Sequence, residues 1–141
     1  MHSFHRTDDQ FFIGPQPTEQ DLLAAKQQGI QTVIDFRLPS ETAMSNAGLT
    51  ASQGLAYVNI PVNKAALSAD QMRALDRALE HHTGPFLLHC ATGARAALML
   101  SLSRAKQHGW SAEQTFSDAQ RLGFDLSASE EFSSFVAKTA G

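Results

Sequence analysis

Residues 86–100, FLLHCATGARAALML, set the chain's only cysteine, Cys90, between two apolar runs, with ATGA and then Arg95 directly after it. A turn that leads a strand into a helix N-terminus exposes backbone N–H groups without intrahelical partners, and the aligned peptide dipoles add partial positive charge there. Ala91, Thr92, Gly93 and Ala94 carry little bulk, so their amides can curl into a concave anion nest. Such a nest stabilises a thiolate, and Arg95 adds a planar donor that suits tetrahedral oxyanions. A lone cysteine is more often a small buried apolar residue. That role, however, needs neither a glycine-containing loop nor an arginine at the mouth of an uncharged helix, where burial of an unpaired guanidinium is unfavourable. The expected chemistry is nucleophilic attack by Cys90 on a small anion bound by residues 91 to 95.

The elements that would position this loop are legible from local signals. QFFIG reads as a strand stopped at Gly14 and Pro15, and Thr18 with Asp21 forms a capping box for a helix that Gly29 ends. IQTVIDF is a continuous apolar strand of the kind buried on both faces. Residues 37–54 are polar and irregular, with one weak helix, and LAYVNI forms a further strand up to Pro61. Ser68 and Gln71 cap a helix with Met72, Leu75 and Leu79 on its inner face, and Gly84-Pro85 separates it from the strand FLLHC. A helix from about Ala96 to His108 follows, buried nearly all round in its first half. Ser111 with Gln114 and Ser127 with Glu130 mark two C-terminal helices, the first supplying Phe116 and Leu122 and the second Phe132, Phe135 and Val136. Helices alternating with apolar strands predict an α/β fold with a central, mostly parallel sheet flanked by helices, and such sheets bind ligands beyond the carboxyl ends of their strands.

The chain has 141 residues, 43% apolar and 18% charged, which suits one domain over residues 1–141 with residues 1–10 as a flexible lead. A net charge of −3 and scattered Lys and Arg argue against a nucleic-acid partner. No signal peptide and no membrane-spanning stretch is read, and a single cysteine fits a reducing cytosol, so a cytoplasmic location is expected. His81, His82, His2 and His5 show no metal-ligand spacing, so neither a metal nor another cofactor is expected. Trp110 and the phenylalanines read as core or interface.

GPQPTEQDLLAAKQQGIQTVIDFRLPSE, GLAYVNIPV and GPFLLHCATGARAA resemble successive blocks of the bacterial beta-lactamase-hydrolase-like, phosphatase-like domain family, within the cysteine-dependent tyrosine and dual-specificity phosphatase superfamily. The resemblance covers about residues 11 to 108. It implies a dual-specificity-phosphatase-like fold, carries the nucleophile onto Cys90 and the oxyanion-binding arginine onto Arg95, and gives the loop amides to Ala91, Thr92, Gly93 and Ala94. Glu41 matches a glutamate of the family's arginine-to-glutamate block, with the role of orienting arginines.

Phosphatases of that superfamily place one more residue between cysteine and arginine, follow the arginine with Ser or Thr where this chain has Ala96, and take an aspartate acid from the region where this chain has Asn63. An amide cannot protonate a leaving group. Thr92 is the one hydroxyl in the loop. The shorter loop also resembles that of rhodanese-type sulfurtransferases, so persulfide sulfur transfer by Cys90 is the expected reaction. Thiosulfate or a persulfide would then be the donor and an external thiol the acceptor, with a metallo-β-lactamase-fold persulfide dioxygenase as an implied partner. Hydrolysis of a phosphate ester through a cysteinyl-phosphate is the alternative, and a non-catalytic oxyanion-binding or redox-sensing module is the third reading. Asp35 and Arg37 should emerge beside Cys90, with Asp35 as proton donor or partner of Arg95, or else as a strand-end cap. His89 should position the loop through hydrogen bonds.

Overall fold

The computed structural model describes residues 4–7, 10–41 and 46–140. Strands β1 (His5–Arg6), β2 (Phe11–Gly14), β3 (Thr32–Asp35), β4 (Ala56–Asn59) and β5 (Phe86–His89) form one sheet in the order β1-β2-β5-β3-β4. β1 is antiparallel to β2 and every other pairing is parallel. Helices α1 (Glu19–Gln27), α2 (Asn46–Ser52) and α3 (Ala69–His81) make the crossovers, and α4 (Ala94–His108), α5 (Ala112–Arg121) and α6 (Glu130–Ala140) follow β5.

The unbroken apolar runs of the central strands are explained by two cores. Successive strand residues point to opposite faces. Phe12, Val33 and Leu87 therefore join Leu22, Ala25 and Ile30 on one face, while Ile13, Ile34 and Leu88 join the residues of α3 to α6 on the other. Every residue of β3 and β5 is buried. β4, at the sheet edge, is exposed or half-buried throughout.

Capping boxes form at Thr18 with Asp21, Ser68 with Gln71 and Ser111 with Gln114. Each satisfies two helix-end donors reciprocally, which is why these starts are local and legible. Gly29 follows α1 at φ +90°. Met72 and Leu75 are buried as the spacing predicts, Leu79 is half-buried, and α4 is buried from Ala96 to Ser103.

Three expectations are corrected. The N-terminal lead is partly structured: His5 and Arg6 pair with Ile13 and Phe12, and Phe4 is buried against Gly14, whereas residues 1–3, 8 and 9 lie outside the described residues. Helix α4 begins at Ala94, because Gly93 is its N-cap, and this draws Arg95 into the first turn. Ser127 does not cap the last helix: Asp125 accepts its N–H at 3.1 Å within a 3-10 turn over Leu126–Ala128, and Ser129 instead accepts the N–H of Phe132 at 3.3 Å.

Candidate active site

Cys90 follows β5 at the carboxyl edge of the sheet, and its side chain is fully buried. Its Sγ accepts the N–H of Gly93 at 3.0 Å, which folds the loop back over the sulfur. Gly93 holds φ +106°, and a Cβ there would lie 2.6 Å from Phe124 Cζ and 3.2 Å from the Gly14 carbonyl carbon. Only glycine fits this turn. The Ala91 carbonyl accepts the N–H of Gln16 at 3.3 Å, and exposed Thr92 Oγ1 accepts the N–H of Ala94 at 3.4 Å. The first-turn amides of α4, including that of Arg95, belong to the set that a helix leaves without intrahelical carbonyls.

Arg95 is gripped by a carboxylate from another crossover. Its Nη1 and Nη2 donate to Glu41 Oε1 and Oε2 at 2.6 and 2.7 Å, and Nη1 also donates to the Val62 carbonyl at 3.1 Å. The bidentate fork raises the Arg95 pKa against the effect of partial burial, with a further contribution from Cys90. The same fork, despite some desolvation, holds the Glu41 carboxyl below its ordinary range. Glu41 also accepts the N–H of Leu38 at 2.8 Å. Its expected role of orienting an arginine thus has a defined geometry.

Asp35 lies beside His89 in the sheet and is bonded by Arg37 rather than by Arg95. Its Oδ1 accepts from the Arg37 N–H at 2.9 Å and Nε at 3.0 Å, and its Oδ2 from Arg37 Nη2 at 3.0 Å and Tyr57 Oη at 2.7 Å. Burial alone would raise its pKa. The Arg37 hydrogen bonds, the field of His89 and the Tyr57 hydroxyl outweigh burial and hold it below the usual value. Asp35 is therefore an ionised structural acceptor, and the expectation of a proton donor or Arg95 partner is corrected. The Tyr57 hydroxyl, for its part, is pushed well above its ordinary value by burial and by Asp35, so it stays protonated.

His89 is fully buried with Nδ1 3.7 Å from Asp35 Oδ1, and its carbonyl accepts the N–H of Phe36 at 2.8 Å. Burial drives its pKa from 6.5 down to about 4, with Asp35 opposing. The imidazole is neutral at pH 7. Arg37 also donates to Gln16 Oε1 at 3.1 Å, and Asn59 Nδ2 donates to the carbonyls of Asp35 and Arg37 at 2.8 and 3.0 Å. Through Gln16, which bonds Ala91, this network braces the cysteine loop. Sequence reasoning missed Gln16, Tyr57 and Asn59. The register pairing Asp35 with Asn59 is what brings β4 to the site.

Beside the loop lies a cavity of about 350 Å³ walled by Glu41, Val62, Asn63, Lys64, Arg95 and Phe132, among others. Asn63 caps the following 3-10 turn, its Oδ1 accepting the N–H of Ala65 at 2.9 Å. Among the described residues no cluster of three or more His, Cys, Asp or Glu could hold a metal ion, and no helix is long and apolar enough to cross a membrane.

The geometry agrees with relationships to known proteins. A protein of Neisseria meningitidis Z2491 shares the fold with a TM-score of 0.80 at 22% identity, covering 99% of each chain. TpbA of P. aeruginosa, solved with phosphotyrosine, gives 0.76 at 17% identity over 95% of this chain and 82% of its own. The core catalytic domain of SIW14 from S. cerevisiae, a PP-IP phosphatase solved with citrate, gives 0.75 at 18% identity over 95% and 83%. The beta-lactamase hydrolase-like proteins of Xylella fastidiosa strains Temecula1 and 9a5c are 26% identical over 125 residues, 84% of this chain and 29% of theirs. The chain thus spans under a third of those relatives. The expected preference for sulfur transfer gains no support from these matches. Residues 3–107 match the family described as beta-lactamase hydrolase-like protein, phosphatase-like domain, and the chain belongs to that family.

Proposed function

We propose that the chain is a phosphatase that hydrolyses phosphate monoesters through a cysteinyl-phosphate on Cys90. The observation that carries this reading is the Gly93 amide on Cys90 Sγ at 3.0 Å, with Arg95 in the same first helical turn. The phosphoryl oxygens would lie against the loop amides and the Arg95 guanidinium, donors oriented before substrate arrives. The thiolate attacks phosphorus, forming the P–S bond as the bond to the ester oxygen breaks; water then attacks phosphorus and returns the thiolate, releasing inorganic phosphate.

The site suits leaving groups that need no proton. Asp35 and Glu41 are held ionised by arginines and Asn63 offers only an amide, so aryl phosphates are favoured over alkyl phosphates. A phosphotyrosine-bound structural relative supports an aryl phosphate as substrate class.

The test is hydrolysis of p-nitrophenyl phosphate by the wild-type chain and by Cys90→Ser, with acid quenching and mass spectrometry of the peptide carrying Cys90. Turnover that depends on Cys90, with one phosphoryl group trapped on it, is expected. Sulfur transfer from thiosulfate to cyanide without ester hydrolysis would reverse the assignment.

A further inference from the structure

The cavity lined by Thr92, Ala94 and Arg95 of the cysteine loop and helix entry contains a second cation whose position is set by a helix beyond the family match. Lys64 opens the 3-10 turn Lys64–Ala66 after β4 and lines the same cavity as Arg95. Helix α6, outside residues 3–107, holds it from two sides. Glu131 Oε2 lies 3.4 Å from Lys64 Nζ, and the Phe132 ring centroid lies 5.4 Å from the same nitrogen.

The two cations differ in how they are held. Both terminal nitrogens of Arg95 are committed to Glu41, whereas the Lys64 side chain is 53% exposed and meets Glu131 through a single oxygen. An ammonium carries three donors on a flexible stem, so Lys64 can turn toward a group bound in the cavity and keep its seat on Phe132. Two positive side chains of unequal freedom around one concave site favour a ligand with two anionic groups, one fixed at the loop and one reached by the lysine.

We propose that Lys64 forms a second anion subsite, selecting phosphate esters or anhydrides that carry another phosphoryl group next to the one transferred, and that Glu131 occupies Lys64 while the subsite is empty. This rests on the phosphatase reading, in which the loop and Arg95 take the first phosphoryl group.

Titration calorimetry with inorganic phosphate and with methylenediphosphonate, a P–C–P ion that cannot be hydrolysed, tests it without turnover. Wild-type protein should bind the diphosphonate more tightly than phosphate. Because Lys64 is half exposed, Lys64→Met should weaken diphosphonate binding about threefold to fivefold and leave phosphate binding unchanged. Glu131→Gln should tighten the diphosphonate by a similar factor, and both differences should shrink at high salt. Equal weakening of both ions by Lys64→Met, or no change in either, would overturn the subsite while sparing the loop. Failure of wild-type protein to bind either ion would remove the anion site at Arg95, and the phosphatase reading with it.

Discussion

Lowering the pH from 7 to 5 should destabilise the protein through His89. Its imidazole is fully buried, and burial pushes its pKa from 6.5 to about 4, with the Arg37 charge adding to the shift and the Asp35 carboxylate opposing it. In the unfolded chain this histidine titrates near its ordinary value, so below about pH 6.5 the unfolded state binds more protons than the folded one. The stabilising difference is fully present above that pH, declines as the pH falls toward 4, and is exhausted below it. Linkage gives a loss of about 2 kcal/mol between pH 7 and pH 5 and about 3 kcal/mol over the whole window. Urea unfolding followed by circular dichroism at both pH values, for wild type and His89→Gln, isolates the effect. Any lower stability of the variant at pH 7 cancels in its own pH difference, which should be smaller than that of wild type by about 2 kcal/mol. An imidazole midpoint near 6.5 by NMR, or equal pH differences in the two proteins, would refute the reasoning. Asp35 has the opposite charge type but the same direction: its lowered pKa supplies stability that is present above about 3.8 and lost as the pH falls further.

Three further outcomes follow from the geometry. Gly93→Ala forces a side chain into φ +106° with Cβ 2.6 Å from Phe124; strain and overpacking together should cost about 2–5 kcal/mol by thermal or chemical unfolding, and a change within about 0.5 kcal/mol would contradict the turn geometry. Asp118→Ala removes a buried carboxylate that accepts from Ser101 at 3.0 Å and from Arg104 at 3.2 Å, and that also meets Arg121. It should lower stability by about 2–3 kcal/mol, since Arg104 is partly exposed, while p-nitrophenyl phosphate turnover well below the melting temperature stays unchanged. Asn63→Asp keeps the acceptor for Ala65 and places an acid in the cavity wall. Alkyl phosphate turnover should rise on the order of tenfold and gain a descending alkaline limb, whereas a gain confined to aryl phosphates would argue against proton donation.

Much of the frame is local in origin and therefore legible in sequence. A capping box needs only four consecutive residues, as at Thr18 to Asp21 and Ser68 to Gln71. A doubly buried strand announces itself by consecutive apolar residues, such as Val33-Ile34 or Phe86-Leu87-Leu88, which must face both sides of the sheet. The small residues between Cys90 and Arg95 likewise place a nucleophile at a helix entry, because the exposed amides of that first turn are a property of the backbone. The two-residue strand β1 escaped notice because its register comes from pairing with β2 rather than from any pattern within His5 and Arg6.

Which carboxylate meets which arginine was decided by tertiary structure alone. Asp35 and Arg37 are two residues apart and both lie near Cys90, yet sequence left Asp35 free to pair with Arg95. In the fold, Arg37 wraps back onto Asp35, and Glu41, 54 positions from Arg95, arrives from the β3-to-β4 crossover to form the fork. Phe132 and Lys64 meet at the cavity only because α6 packs beside the turn after β4. Side-chain types and local spacing determine what each segment can do, but a charge pair forms within a few ångströms, and such distances between remote segments are set by strand order, register and helix packing.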